Sequence, residues 1–138
     1  MSSLQTQTTS FKAECWQAVH NLLTDSIKMA LYTGAANLDE ATTVYTTAGE
    51  VTTPGYVAGG VVLTGASIGT SGFTAFASFA NATFPVPLTA RYALIYNASK
   101  GNKSVAVLDF GTDKTSLTAF SVALPPNTAT TALLRSSN

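Results

Sequence analysis

The chain has 138 residues, of which 46% are hydrophobic and only 10% charged, and its seven basic residues balance seven acidic ones. A length of this order fits one domain that buries roughly two thirds of the surface its unfolded form exposes, so no disulfide or metal is needed to hold a core. Ample apolar content with little charge excludes disorder, and the balanced signs leave neither a nucleic-acid face nor a polybasic membrane patch.

The polar positions are filled largely by 22 Thr and 13 Ser, with 21 Ala beside them. Thr favours strands because its β-branch restricts χ1, and a Thr-rich, charge-poor chain with short apolar runs reads as all-β. Free soluble domains display more charge than this, so part of the surface is expected to lie under other protein. In chain order, residues 1–9 are a polar arm with nothing of its own to bury, set apart from a single domain over residues 10–138. Phe11, Cys15, Val19 and Leu22 recur at helical spacing, with Trp16 and Leu23 beside them. That spacing predicts an amphipathic helix over Phe11–Leu23, capped by Thr9 or Ser10, with Trp16 and Cys15 on its core side.

Ile27 to Thr33 begins with strict alternation, Ile27, Met29 and Leu31 sharing one face, and reads as a strand. Residues 35–60 are long and irregular, a connection that is usually functional or carries small elements of its own. From Val61 onward short strands and turns repeat: Val61–Ile68, Phe73–Phe79, Thr83–Val86, Tyr92–Asn97, Ser104–Phe110, Ser116–Leu124 and Ala132–Arg135. Ala98 to Asn102 is a hairpin turn, since Gly101 and Asn102 tolerate positive φ. Gly111–Lys114 and Pro125–Asn127 turn the chain again. Turn signals every 8 to 12 residues or so point to a mainly β fold. The expected architecture is an antiparallel β-sandwich or jelly roll of about eight strands with one N-terminal amphipathic helix.

The sequence holds no pattern for catalysis. Cys15 is the single cysteine and His20 the single histidine; five residues apart on one helix, about 500° of rotation, their side chains diverge. His20 reads as a packed or capping residue. Asp109-Phe110-Gly111 matches a kinase tripeptide without any of the accompanying motifs. Asp109 and Asp113 flank a turn and fall short of the six or more oxygens a calcium site takes. No metal, cofactor or enzymatic activity is expected. The opening residues have neither a basic start nor an apolar stretch, so no secretory signal is expected, and no apolar run approaches the 18 or so residues of a membrane span.

Two segments are left over once a core is drawn, and both are candidates for contact with a partner. The arm offers Ser2, Leu4, Gln5 and Gln7; the long loop offers Val44, Tyr45, Val51 and Tyr56, apolar or aromatic residues that want burial. Backbone in such segments needs partners, which a neighbouring strand edge supplies.

A resemblance runs along nearly the whole chain. It begins with Phe11-Lys12 opening a helix and with Asp25 to Thr33, and continues through Leu38-Asp39, Tyr45-Thr46-Thr47, Glu50-Val51 and Gly55 to Val61. It ends with Arg91 to Asn97, Gly101-Asn102-Lys103 and Ala106 to Gly111. In order and spacing these residues resemble the small β-rich virion structural proteins of tailed bacteriophages. The resemblance implies a particle component assembled in the host bacterial cytoplasm, a capsid decoration or cement protein that binds the major capsid protein or another virion protein. It implies no catalytic residues. A homo-oligomer, trimer or dimer, is expected in that setting. A tail or tail-fibre component and a carbohydrate-binding module are the alternatives. The latter needs an exposed Trp or Tyr in a groove beside acids and amides.

Overall fold

The computed structural model describes residues 4–137 and is mainly β, with antiparallel sheets and one α-helix near the N-terminus. The elements are β1 (Leu4–Gln7), α1 (Thr9–Trp16), β2 (Ile27–Tyr32), β3 (Val61–Val62), β4 (Ser67–Ser71) and β5 (Thr74–Ser78), then β6 (Ala82–Phe84), β7 (Leu88–Asn97), β8 (Lys103–Ser116), β9 (Phe120–Val122) and β10 (Leu134–Ser137). Five strands form one sheet in the order β1-β8-β7-β2-β3; β10-β5-β4 and β6-β9 form two smaller ones. One core joins them. Met29, Leu31, Ala93, Ile95 and Leu108 of the large sheet pack with Ala77, Phe84, Phe120, Val122 and Leu134 of the smaller two, which together make the second layer of the sandwich.

The hairpin between β7 and β8 is the clearest case of sequence dictating backbone. Gly101 and Asn102 sit at φ 66° and 59°, and Asn97 accepts the Ser99 N–H at 3.0 Å, closing a 3-10 turn over Ala98–Lys100. The expected turn at Gly111–Lys114 is instead part of β8, which runs unbroken to Ser116. Its pairing with β7 shifts register between Ala90 and Tyr92, so Gly111, at φ 85°, marks an irregularity in a long strand rather than a corner. The expected strand Val61–Ile68 divides into β3 and the start of β4.

The large sheet is covered on both faces. Ala30, Tyr32, Leu94, Tyr96 and Val107 form a second cluster on the face away from the main core, and Leu38 and Tyr45 of the long loop pack onto it. This explains the continuous apolar run in β7, which alternation alone does not require. Residues 35–60 are therefore the cover of the sheet's outer face. They also close its β2 edge: the Val51 N–H donates to the Leu31 carbonyl at 3.0 Å and the Thr33 N–H to the Gly49 carbonyl at 2.8 Å. Gly60, at φ 81°, lets the returning chain touch β2, for a Cβ there would stand 1.7 Å from the Met29 carbonyl oxygen.

Helix α1 departs from expectation. It ends at Trp16 rather than Leu23 and buries Phe11 alone, so it is not the amphipathic helix that the apolar spacing suggested; Cys15 and Trp16 are exposed. Thr8 is the cap, its hydroxyl accepting the Phe11 N–H at 3.3 Å, a contact worth about 1 kcal/mol. The stop is enforced from outside the helix. Ala18 takes φ 58° and turns the chain back. His20 then lies 4.9 Å from the Phe11 ring, centroid to centroid, with its Nε2 2.8 Å from a Glu14 carboxylate oxygen.

Candidate functional site

The residues expected to meet a partner divide into those the fold uses itself and those it leaves in solvent. Ser2 lies outside the described residues. Leu4 to Gln7 form β1, paired antiparallel with Ala106 to Asp109 of β8, so this part of the arm belongs to the sheet. The Gln5 amide donates to the Thr131 and Ala132 carbonyls at 3.1 and 3.0 Å, and the Gln7 amide to the Arg135 carbonyl at 2.7 Å. Both side chains thus stitch β1 to the segment around β10.

The loop residues surround a carboxylate. Glu50, only 6% exposed, accepts the Tyr45 hydroxyl on Oε1 at 2.6 Å, and the Tyr56 hydroxyl and Gly59 N–H on Oε2 at 2.6 and 2.9 Å. Tyr56 accepts the Leu31 N–H in turn, and Tyr96 and Tyr32 donate to the Gly59 and Thr46 carbonyls at 2.7 and 2.6 Å. The Tyr45 ring stacks on Tyr96, centroids 4.8 Å apart. Burial, reinforced by the adjoining Glu50 carboxylate, raises the Tyr45 and Tyr56 hydroxyls well above the ordinary tyrosine range, so both remain donors at any ordinary pH. Val51 is 4% exposed and in the core. The ground for assigning Tyr45, Val51 and Tyr56 to a partner, that the domain gave them nothing to contact, is removed: their partners are Glu50, β2 and the large sheet. Val44 alone of the four stays largely in solvent, bridged to Lys103 through backbone.

A second polar network fixes the turn after α1. The Asn97 amide, fully buried, lies 3.0 Å from His20 Nδ1 and donates to Asp25 at 2.8 Å. An amide nitrogen can only donate, so Nδ1 accepts and the ring proton on Nε2 faces Glu14. The backbone N–H of Asn21, helped by Asn97, holds the Asp25 carboxyl below its ordinary range. Packing around Cys15 and the Glu14 carboxylate push the thiol up, the opposite of what activates a nucleophile. At Asp109 the carboxylate already accepts the Gly111 N–H at 2.8 Å and Arg91 at 3.0 Å.

Two of the exposed large hydrophobic residues, Trp16 and Ile68, border a space between α1 and the three-stranded sheet. A groove of about 540 Å³ runs there. Phe11, Cys15 and Trp16 line it from the helix side, and Ile68, Phe76 and Leu134 from the sheet. Lys12 and Arg135 are the charged residues lining it; no acidic residue does. Trp16 is 93% exposed, and Phe73, at the turn of the β4–β5 hairpin, 90%. An aromatic side chain covers about 150–250 Å². Burying a side chain such as Phe73 is worth about 1.5–3 kcal/mol, and the larger Trp16 ring more. Large uncovered apolar patches mark interaction sites. Sequence reasoning missed this groove because it assigned Trp16 to the core. The residual signal was that Trp16 and Phe73 are each flanked by small or polar neighbours.

Among the described residues, no helix is long and apolar enough to cross a membrane, and no three His, Cys, Asp or Glu side chains group as metal ligands. Neither the family models, the curated proteins nor the solved structures compared with this chain match it.

Proposed function

We propose that this chain is a non-enzymatic structural subunit of a tailed-bacteriophage virion, a capsid decoration or cement protein that binds the major capsid protein. The observation that carries the reading is the groove, with Trp16 standing almost wholly in water at its wall. Such a surface, on a chain that is 10% charged and of zero net charge, fits a subunit whose working state is an assembly. The sequence resemblance supplies the kind of assembly. A modest patch engaged many times on a rigid shell holds by avidity, and a domain braced on both faces of its large sheet suits a bridging load. The test is co-sedimentation of the purified protein with shells that lack it. Saturable occupancy, lowered by Trp16→Ser, is the expected result; protein that stays in the supernatant at every concentration refutes the reading. Occupancy on tails in place of shells assigns it to a tail or tail-fibre component.

The carbohydrate-binding alternative gains one observation, for Trp16 is exposed in a groove, where sugar rings stack. Against it, the groove walls are mainly apolar and the Gln7 amide is already engaged with Arg135. Oligosaccharides that shift the emission of Trp16, the only tryptophan, would favour it; an unchanged spectrum rejects it.

A further inference from the structure

We propose that His20 is a proton-sensitive latch: neutral, it pins the segment between α1 and β2 to the large sheet, and a second proton on its ring releases that segment. His20 is the only histidine, and histidine is the side chain that changes charge most readily near neutral pH. Its side chain is 1% exposed. Nε2 lies 2.8 Å from Glu14 of α1, and Nδ1 lies 3.0 Å from the amide of Asn97, the fully buried last residue of β7. One ring nitrogen donates and the other accepts, so the neutral ring is fully used. The response to a further proton depends on which way the Asn97 amide faces, and two other partners fix that. Its Oδ1 accepts the Ser99 N–H at 3.0 Å, and its Nδ2 donates to the Asp25 carboxylate at 2.8 Å. Turning the amide over would set its oxygen against that carboxylate and its nitrogen against the Ser99 N–H. Asn97 therefore presents N–H to His20 whatever the charge on the ring. An imidazolium donates from both nitrogens, so at Nδ1 a donor would meet a donor in a buried place, and the contact is lost.

The charged groups gathered around the ring admit the proton. Glu14 comes from α1 and Asp25 from the turn before β2; Lys103 of β8 stands 4.0 Å from the Glu14 carboxylate, and Lys100 of the 3-10 turn 3.7 Å from that of Asp25. At Nε2 protonation turns a hydrogen bond into an ion pair with Glu14. The contact that gives way is therefore the one with Asn97. Residues 18–24 then loosen between two ends that stay fixed, α1 and Asp25. Release also relieves Ala18, whose φ of 58° is a conformation that a non-glycine residue holds only where its surroundings enforce it. Leu22 of this stretch packs against the core and lines the groove beside Trp16, so the latch also sets the shape of that surface. The device belongs to the fold and does not depend on what the chain binds.

The experiment is a pH titration of the full wild-type chain from about pH 8 to about pH 5, read in two ways. Nitrogen NMR of the His20 ring reports its tautomer and its charge. Amide exchange of residues 18–24, corrected for its intrinsic pH dependence, reports the segment, with the β8 amides as reference. At the alkaline end the ring is expected to carry its proton on Nε2. As it takes up the second proton, protection of residues 18–24 is expected to fall about tenfold or more with the same midpoint, while β8 is unchanged. His20→Gln, folded by circular dichroism, is expected to lose the step. Asn97→Ala removes the opposing donor, so its ring is expected to take the second proton about half to one pH unit higher than wild type. The wild-type titration stands even where a variant does not fold. A ring protonated on both nitrogens at the alkaline end while residues 18–24 are protected overturns the proposal. So does a segment whose exchange ignores the titration of the ring, a ring that stays neutral until the whole domain unfolds, or a step that persists in His20→Gln.

Discussion

Replacing Glu50 by Ala is the most informative perturbation of the fold, because it removes the hub of the loop that covers the large sheet. Three donors, the Tyr45 and Tyr56 hydroxyls and the Gly59 N–H, converge on this carboxylate at 2.6, 2.6 and 2.9 Å. A hydrogen bond to a charged group contributes about 1.5–3 kcal/mol, but members of one network are not additive, and removing the carboxylate also relieves its own desolvation. The three neutral donors left without an acceptor cost about 1–3 kcal/mol each before non-additivity, so the net cost of Glu50→Ala is about 3 kcal/mol. For a chain of this size that lowers Tm by roughly 10 °C or more. Glu50→Gln keeps the shape and one acceptor and is expected to cost about 1–2 kcal/mol, as are Tyr45→Phe and Tyr56→Phe. The assay is thermal and urea unfolding of all four variants, with amide exchange at Val51 and Gly59 as the local readout. A double-mutant cycle between Glu50 and Tyr56 should give a coupling above about 0.5 kcal/mol. A Glu50→Ala protein melting within 2 °C or so of wild type, a shift worth less than about 1 kcal/mol, with Val51 and Gly59 still protected, would refute the view that this carboxylate holds the loop.

Trp16→Ala should change stability by no more than about 0.5 kcal/mol, since the ring is in solvent; a loss of about 3 kcal/mol in urea unfolding, typical of a core aromatic, would place Trp16 in the core after all. Gly60→Ala is expected to destabilise by at least about 2 kcal/mol, because the backbone at φ 81° must move to free the Met29 carbonyl; a wild-type melting curve contradicts the close approach. In acid, the folded-state pKa of Asp25 lies below its unfolded value. Its stabilisation is therefore complete above the unfolded pKa of about 3.9 and is lost as pH falls through the lower folded value. Asp25→Asn should flatten the decline of Tm below about pH 4, and an unchanged slope would show that Asp25 does not link folding to pH.

The elements most legible in the sequence were those whose signal is local. Strand β2 follows from the alternation of Ile27, Met29 and Leu31, and the β7–β8 hairpin from Gly101-Asn102, because both depend on side chains and φ angles within a few residues. The end of α1 was not legible. Val19 and Leu22 continue the helical spacing, but the chain turns at Ala18 because His20 finds Glu14, Phe11 and, 77 residues away, Asn97. The loop's own contacts were hidden for a similar reason. Tyr45 and Tyr56 lie five residues before and six after Glu50, a spacing with no helical or strand meaning that acquires one only when the loop folds over the sheet. Glu50 itself, an acid in a polar stretch, gave no sign of burial. The groove was hidden by the helix assignment: apolar spacing states which residues share a face, not whether another element arrives to cover it.

The central claim is that this chain works as part of a particle, docked through the groove between α1 and the three-stranded sheet. The direct measurement is electron microscopy of the particles proposed to carry this chain, with density assigned to it. The expected result is density for the chain at each repeating lattice position on the shell, with Trp16 buried in a contact with the shell protein. Particles whose density is fully explained without this chain, or that carry it with Trp16 open to solvent, would contradict the claim.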